Sequence, residues 1–548
     1  MKKLFVYVLI SFSILFSIQS TSQVLDSKTI EAKIDALVPT QVNDTTPGLV
    51  IGIVQNGKLI FSKGYGLANL SYGMANNPKM VYNVGSVSKQ FLGYAFAMLH
   101  VKGDLNIDDP VGKYLKDWPE FEHVVTLRHL LTHTSGYREA YTMSNLAGRI
   151  VGVDRLSRAE CLNVVRKQPE LEFVPGSNWT YNSTAWVILA EVFEKVTSEK
   201  ADTWVENNML KPLGMNDTQI ESYVGEVITN AAESYVFDPE QGYINQESNR
   251  AIFGAAEVYS SIDDLVKWVN NYRTATIGGK AVNKLFLEPF ILNDGSDSEY
   301  ALGIGNSSYN GLKRYRHTGG HEAFATQLSY YPEQDLGIIT ISNYGGKGWL
   351  ATSKIADLLL GKFMTHEDKE EVKSVDLAKA LLEPLRGLYV SSNFNRTLEI
   401  GMVQDSLTIN GDSKLMPLSE NTFYVNGWDS QLVLNKEANG NATLTFTDNS
   451  REIFTKVDSW QPTVTDLKGY EGDYWSEELE TLYHLTVTDG KLTIKHRWLG
   501  EIPLEPLTRD LFKTDWSYNI KFVRDSNQNI SGFSIYSGRT LNVYFKRK

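Results

Sequence analysis

Asn83-Val84-Gly85-Ser86-Val87-Ser88-Lys89 is the stretch on which the fold turns. Residues 86–102 read as a helix, and Gly103 is its stop signal. With a helix opening at Ser86, Lys89 lies one turn on and on the same face. The Ser86 hydroxyl then sits at a helix N-terminus, where free N–H groups and the positive dipole end favour a developing anion. A lysine amine at that spacing lowers the hydroxyl pKa or takes its proton. Taken alone, S-x-x-K also fits an ordinary exposed helix start.

Two further segments carry polar chemistry. Tyr181-Asn182-Ser183 precedes a strong amphipathic helix, Ser183–Ser198. As a loop at the mouth of a site it presents a phenol able to act as a base. As plain structure it holds a core aromatic and an N-cap. His317-Thr318-Gly319-Gly320 is read at the start of a strand, where two glycines let a ligand approach the backbone; a Gly-rich turn is the structural alternative.

In order and spacing the three segments resemble the serine β-lactamase and penicillin-binding-protein superfamily, in its class C-like branch of esterases, D-aminopeptidases and peptidoglycan peptidases. The resemblance extends to Leu127-Arg-His-Leu-Leu-Thr-His-Thr-Ser-Gly136, Leu213-Gly214-Met215 and Tyr330-Tyr331-Pro332, and covers most of residues 30–362. It implies an α/β domain of α+β type, with an antiparallel sheet flanked by helices and the site at the junction with a helical region. It implies Ser86 as acylated nucleophile, Lys89 and Tyr181 sharing general-base work, and the amides of Ser86 and Gly320 as oxyanion hole. His317 and Thr318 would bind the substrate end or tune Tyr181, with Gly319, Asn182 and Ser183 lining the substrate. No cofactor or metal is implied. Two departures narrow the substrate. His317 stands where antibiotic-destroying members carry Lys, and Ser183 where the family's Asn is usual. Both favour an esterase or peptidase, acting on a D-amino-acid peptide, peptidoglycan fragment or small ester, over an efficient β-lactamase. The alternative is a non-catalytic protein that binds cell-wall fragments.

Around this core the chain has 548 residues and a formal net charge of −12, so no global basic footprint for nucleic acid exists. The single Cys161 excludes an internal disulfide framework and any zinc site built on two thiolates. It reads as a buried inert thiol. His129 and His133, four apart, read as packing or capping residues rather than a metal pair. Lys2 and Lys3, the apolar run Leu4–Ile18 and the small residues Ser20 and Ser22 read as a signal peptide over residues 1–22. Export to the periplasm or medium is expected, with no membrane span after cleavage.

The hydrolase domain is placed at residues 23–365, opened by a hairpin over 48–66 turning at Asn56-Gly57. Further strands are read near 300–305, 324–331 and 337–342, with helices over 126–132, 261–272 and 349–362. A charged linker follows over 366–382. Two β-units come next, at 383–460 and 466–548, and they repeat one another. Gly387-Leu388-Tyr389 recurs as Gly472-Asp473-Tyr474, at an offset of 85. Pro417-Leu418 with Phe423 recurs as Pro506-Leu507 with Phe512, and Leu444 and Phe446 match Phe533 and Ile535, at an offset of 89. Short alternating strands of this kind leave exposed edges, and two antiparallel β-barrels are the expected way to remove them. The resemblance to three-domain D-aminopeptidases adds that an accessory domain can send a loop to the active site. The barrel aromatics Tyr389, Trp428, Trp475 and Trp516 are read mainly as core.

Overall fold

A computed structural model describes residues 27–150, 153–365, 374–425, 428, 430–434, 441–445, 451–515 and 518–548. The signal-peptide segment, Phe446, Trp516 and most of the charged run after Thr365 lie outside the described residues.

The first domain is built on six strands: β1 (Leu49–Gln55), β2 (Lys58–Tyr65), β3 (Gly305–Tyr309), β4 (Leu312–His321), β5 (Phe324–Tyr331) and β6 (Leu336–Ser342). They pair antiparallel in the order β3-β4-β5-β6-β1-β2, so the N-terminal hairpin is stitched onto strands some 280 residues later, with Leu49 opposite Ser342. Strand β1 is apolar on both faces because both faces are covered. Leu49, Ile51 and Ile53 pack with helix Ser27–Asp35 and with Thr352–Leu360. Val50 and Val54 belong to the larger core with Ile262, Leu265 and Val269 of helix Ile262–Thr274. Gly52 has no room for a side chain, since a Cβ there would stand 2.3 Å from Ile262 Cγ2.

Helix α1 (Lys89–Lys102) runs through the larger core and ends at Gly103, left-handed at φ 87°, as the glycine stop requires. Helix α2 (Ser183–Thr197) packs beside it. Three expectations shift. Residues 85–88 form a 3-10 turn, and the α-helix starts only at Lys89. The strand read near 300–305 begins at Gly305. Before it the chain turns at Gly303, φ 92°, where a Cβ would stand 2.7 Å from the Trp186 ring and 2.9 Å from the Lys89 carbonyl. Strand β4 starts five residues before His317, which therefore lies in the second half of the strand.

The rest of the chain forms two closed eight-stranded antiparallel barrels. Strands β7 to β14 span Gly387–Ser391 through Arg451–Val457, and β15 to β22 span Gly472–Ser476 through Val543–Arg547. The repeat seen in the sequence is structural. Gly387 and Gly472 share positive φ, 142° and 145°, and the hydroxyls of Tyr389 and Tyr474 each donate to the carbonyl four residues earlier. Pro417 faces Phe423, as Pro506 faces Phe512. Each barrel has its own apolar filling, and Tyr389 and Tyr474 are in it. The second barrel also packs on the first domain, through Met143 and Leu146.

Candidate active site

The 3-10 turn brings Ser86 and Lys89 together. In that geometry side chains at i and i+3 eclipse. Lys89 Nζ lies 3.1 Å from Ser86 Oγ and donates to the Ala255 carbonyl at 2.6 Å. Lys89 is fully buried. Burial, the largest influence, lowers its pKa to about 7, opposed by Glu139 and assisted by the Arg539 and Arg250 charges. The amine is therefore largely neutral at mildly alkaline pH and able to accept a proton.

Strand β4 lies directly on this turn, and glycine makes that possible. A Cβ on Gly319 would stand 1.9 Å from the Val84 carbonyl oxygen. One on Gly85, itself at φ 53°, would stand 2.7 Å from the Gly320 nitrogen. The amides of Ser86 and Gly320 are thereby brought alongside each other at one end of the strand. The two glycines of the third motif thus differ. Gly319 is small because the protein's own backbone approaches it, not a ligand. Gly320 is exposed, with open space where a side chain would be.

Strand alternation then assigns the motif's side chains. Thr318 and Gly320 face outward, while His317 and Gly319 are buried. His317, expected to bind the substrate end or tune Tyr181, is buried with both ring nitrogens engaged. Its Nε2 lies 2.7 Å from the Tyr300 hydroxyl and its Nδ1 2.6 Å from the Thr318 carbonyl. Burial first, then the Lys89 charge, lowers its pKa to about 3, so the ring is neutral.

Tyr181 stands over the lysine, with Lys89 Nζ 5.0 Å from its ring centroid. Its hydroxyl is buried without a fully formed hydrogen bond among the described residues. Burial pushes the phenol above its usual range, against a lowering influence of the neighbouring Ser86 hydroxyl. It is a neutral phenol in the resting site. Asn182, expected to line the substrate, is buried. Its side chain is spent on structure, capping α2 by accepting from Ala185 N at 2.9 Å and donating to the Tyr137 carbonyl. Ser183 is the buried first residue of α2.

The structure adds residues that the sequence reading passed over. His133, read as packing, stacks on Tyr181 at a centroid distance of 4.2 Å. Its Nδ1 accepts from Asn182 N at 3.0 Å, which places the proton on Nε2, 3.3 Å from the Tyr300 hydroxyl. Tyr300 O–H in turn donates to His317 Nε2, and His317 Nδ1–H to the Thr318 carbonyl. Two neutral histidines and one tyrosine so form a single directed chain behind Tyr181. Nothing in local sequence marks Tyr300 for this role. His129 is a cap, as expected: its Nδ1 accepts from Thr126 N. Cys161 is buried, as expected. Among the described residues no group of three His, Cys, Asp or Glu side chains is placed to hold a metal ion.

A pocket of about 300 Å3 opens beside the motif, lined by Trp179, Tyr181, Tyr300, Arg316, His317 and Thr318 among others. The second barrel meets the site at Tyr181. The turn between β21 (Ile530–Tyr536) and β22 (Val543–Arg547) sets the Arg539 guanidinium carbon 5.3 Å from the Tyr181 ring centroid.

A serine at the head of a buried turn, a desolvated lysine beside it and an antiparallel sheet flanked by helices define a class of protein, that of the β-lactamase fold. The Beta-lactamase family model matches residues 33–360, and the chain belongs to that family. It is 30% identical to the PbpX protein of Bacillus subtilis strain 168 over 261 residues, 46% of this chain and 60% of that one. It is 22% identical over 339 residues to the D-aminopeptidase of Brucella canis, covering 62% of this chain and 63% of the relative. The chain thus spans somewhat less than two thirds of the length of these relatives. In fold it is similar to the octameric penicillin-binding protein homologue from Pyrococcus abyssi, at a TM-score of 0.54, 24% identity, and coverage of 78% of this chain and all of that one.

Proposed function

We propose that the chain is an exported serine hydrolase that cleaves amide or ester bonds through an acyl-Ser86 intermediate. Its substrates are D-amino-acid peptides, peptidoglycan fragments or small esters rather than β-lactam antibiotics. The observation that carries this reading is the buried Lys89, 3.1 Å from Ser86 Oγ and poised to be neutral near pH 7.

The steps follow from the geometry. Lys89 Nζ takes the Ser86 proton as Oγ attacks the substrate carbonyl carbon. The negative charge that builds on the carbonyl oxygen is met by the Ser86 and Gly320 N–H groups. Tyr181, a neutral phenol next to Ser86, is suited to pass its proton to the leaving amine or alkoxide rather than to start as a phenolate, and the Lys89 ammonium then returns a proton to Tyr181, which makes the amine neutral again. Water attacks the acyl carbon with Lys89 accepting its proton, the bond to Oγ breaks, and Tyr181 gives a proton to Ser86 Oγ and regains one from Lys89. The chain His133–Tyr300–His317 holds Tyr181 and the strand in place without charge of its own. A neutral, inward His317 leaves β4 without the cation that antibiotic-destroying relatives present, which supports the peptidase or esterase reading. Export rests on Lys2, Lys3 and the apolar run Leu4–Ile18. No described helix is long and apolar enough to cross a membrane.

Intact-mass spectrometry after treatment with a fluorophosphonate tests the reading. One adduct mapped to Ser86, and absent from Ser86→Ala, is expected. No adduct where a control hydrolase is labelled overturns it, and would leave fragment binding as the function.

A further inference from the structure

The turn carrying Arg539 is fastened to the first domain just after its tip, through Thr540, Leu541 and Asn542. Arg138, buried, donates to the carbonyls of Leu541 and Asn542 and pairs with Glu172 and Glu478. Leu541 N donates to Glu172 at 3.0 Å, Thr540 Oγ1 accepts from Glu139 N at 3.2 Å, and Asn542 Nδ2 donates to Glu170 at 2.7 Å. Thr540 is fully buried. Within the turn, Ser537 N donates to the Thr540 carbonyl at 2.8 Å. Gly538 and Arg539 alone in the turn are exposed, and Arg539 makes no hydrogen bond or ion pair among the described residues.

A clamp of this kind has one product, a guanidinium held over the face of Tyr181. The cation lies against the ring face, and its donors remain unused. Meanwhile the strand that borders Ser86 offers no positive charge at His317, which is neutral and committed to Tyr300. The one acid bonded to the turn tip's neighbour, Glu139, is buried and spends one oxygen on capping helix Ala140–Leu146. The free fork of an arginine matches a carboxylate, which accepts two parallel N–H bonds.

From this geometry we infer that Arg539 is a substrate-binding residue donated by the second barrel, and that it selects substrates bearing a carboxylate close to the scissile bond. The inference rests on the acyl-Ser86 reading and gives it a substrate class: anionic acyl compounds in place of neutral or cationic ones.

Two matched ester pairs test it on the full-length protein. 4-Nitrophenyl succinate against 4-nitrophenyl butyrate puts the charge on the acyl side. 3-Carboxyphenyl acetate against phenyl acetate puts it on the leaving group. The readout is the anion-to-neutral ratio of kcat/KM within each pair. We expect at least one pair to favour the anion tenfold or more, and that ratio to fall at least tenfold in Arg539→Ala and further in Arg539→Glu. Arg539→Lys should keep part of it. Arg509→Ala, which removes an exposed cation elsewhere on the second barrel, should leave the ratio within about threefold. Ratios unmoved by Arg539→Ala and Arg539→Glu, or moved equally by Arg509→Ala, overturn the inference. Fluorophosphonate labelling of Ser86 in each variant separates this failure from failure of the hydrolase reading. A chain that labels but does not discriminate refutes only Arg539.

Discussion

If burial is what tunes Lys89, the reactivity of Ser86 must titrate with it. A lysine in water holds its proton to pH ~10.4. Here the pKa stands at about 7, a displacement of more than three units, or on the order of 5 kcal/mol against the charged form. Only the neutral amine can accept the Ser86 proton. The second-order rate of fluorophosphonate labelling should therefore be flat above pH ~8, reach half its plateau near pH 7, and fall about tenfold per unit below pH ~6. At pH 5 about one hundredth of the plateau should remain. Lys89→Met, which keeps the length and removes the base, should lower the plateau by ~10²–10⁴-fold. The signs of the neighbours follow too. Glu139 raises the lysine pKa, so Glu139→Gln should move the midpoint down. Arg539 lowers it, so Arg539→Ala should move it up. The same shift bears on folding. A lysine whose pKa is depressed in the folded state costs stability below pH ~7 and stops doing so as pH rises toward ~10.4. A rate independent of pH between 5 and 9, a midpoint above pH 9, or an upward move in Glu139→Gln would refute the argument that desolvation makes Lys89 the base.

Adjacent glycines offer a sharper structural contrast. Gly319→Ala drives a Cβ into the Val84 carbonyl and should cost ~3 kcal/mol or more in urea unfolding, with labelling of Ser86 reduced at least tenfold. Gly320→Ala meets open space and should stay within ~0.5 kcal/mol of the parent, so equal stabilities would contradict the packing described for β4. Tyr300→Phe strands the facing nitrogens of His133 and His317, and a loss of ~2–4 kcal/mol is expected by the same measurement; a neutral result would dissolve the proposed hydrogen-bond chain. Arg138→Met leaves Glu172 and Glu478 without their buried partner. We expect ~3–5 kcal/mol of lost domain docking, seen as faster limited proteolysis between residues 536 and 543; an unchanged digestion pattern would show that the clamp is dispensable.

Much of this molecule is written locally. The 3.6-residue periodicity of α1 and α2, the glycine that ends α1, the hairpin at Asn56-Gly57 and the duplicated barrel unit all depend on neighbours a few residues away, so the sequence by itself determines them. So does the contact of Ser86 with Lys89, since three-residue spacing brings the pair together in either an α-helix or a 3-10 turn. What the sequence could not disclose depends on approach between distant segments. The start of β4 five residues before His317 sets the phase of its alternation, and that phase alone turns His317 inward and Thr318 outward. Gly319 is glycine because Val84 arrives from 235 residues away, a reason absent from its own neighbourhood. Asn182 looks like a polar contact for substrate until Tyr137 and Ala185 are seen to consume both ends of its amide. Lys89 becomes a base only when the core closes around it. Arg539 is an unremarkable surface residue in the chain and a neighbour of Tyr181 only after the second barrel docks, because charge and desolvation act through space and carry no trace in sequence order.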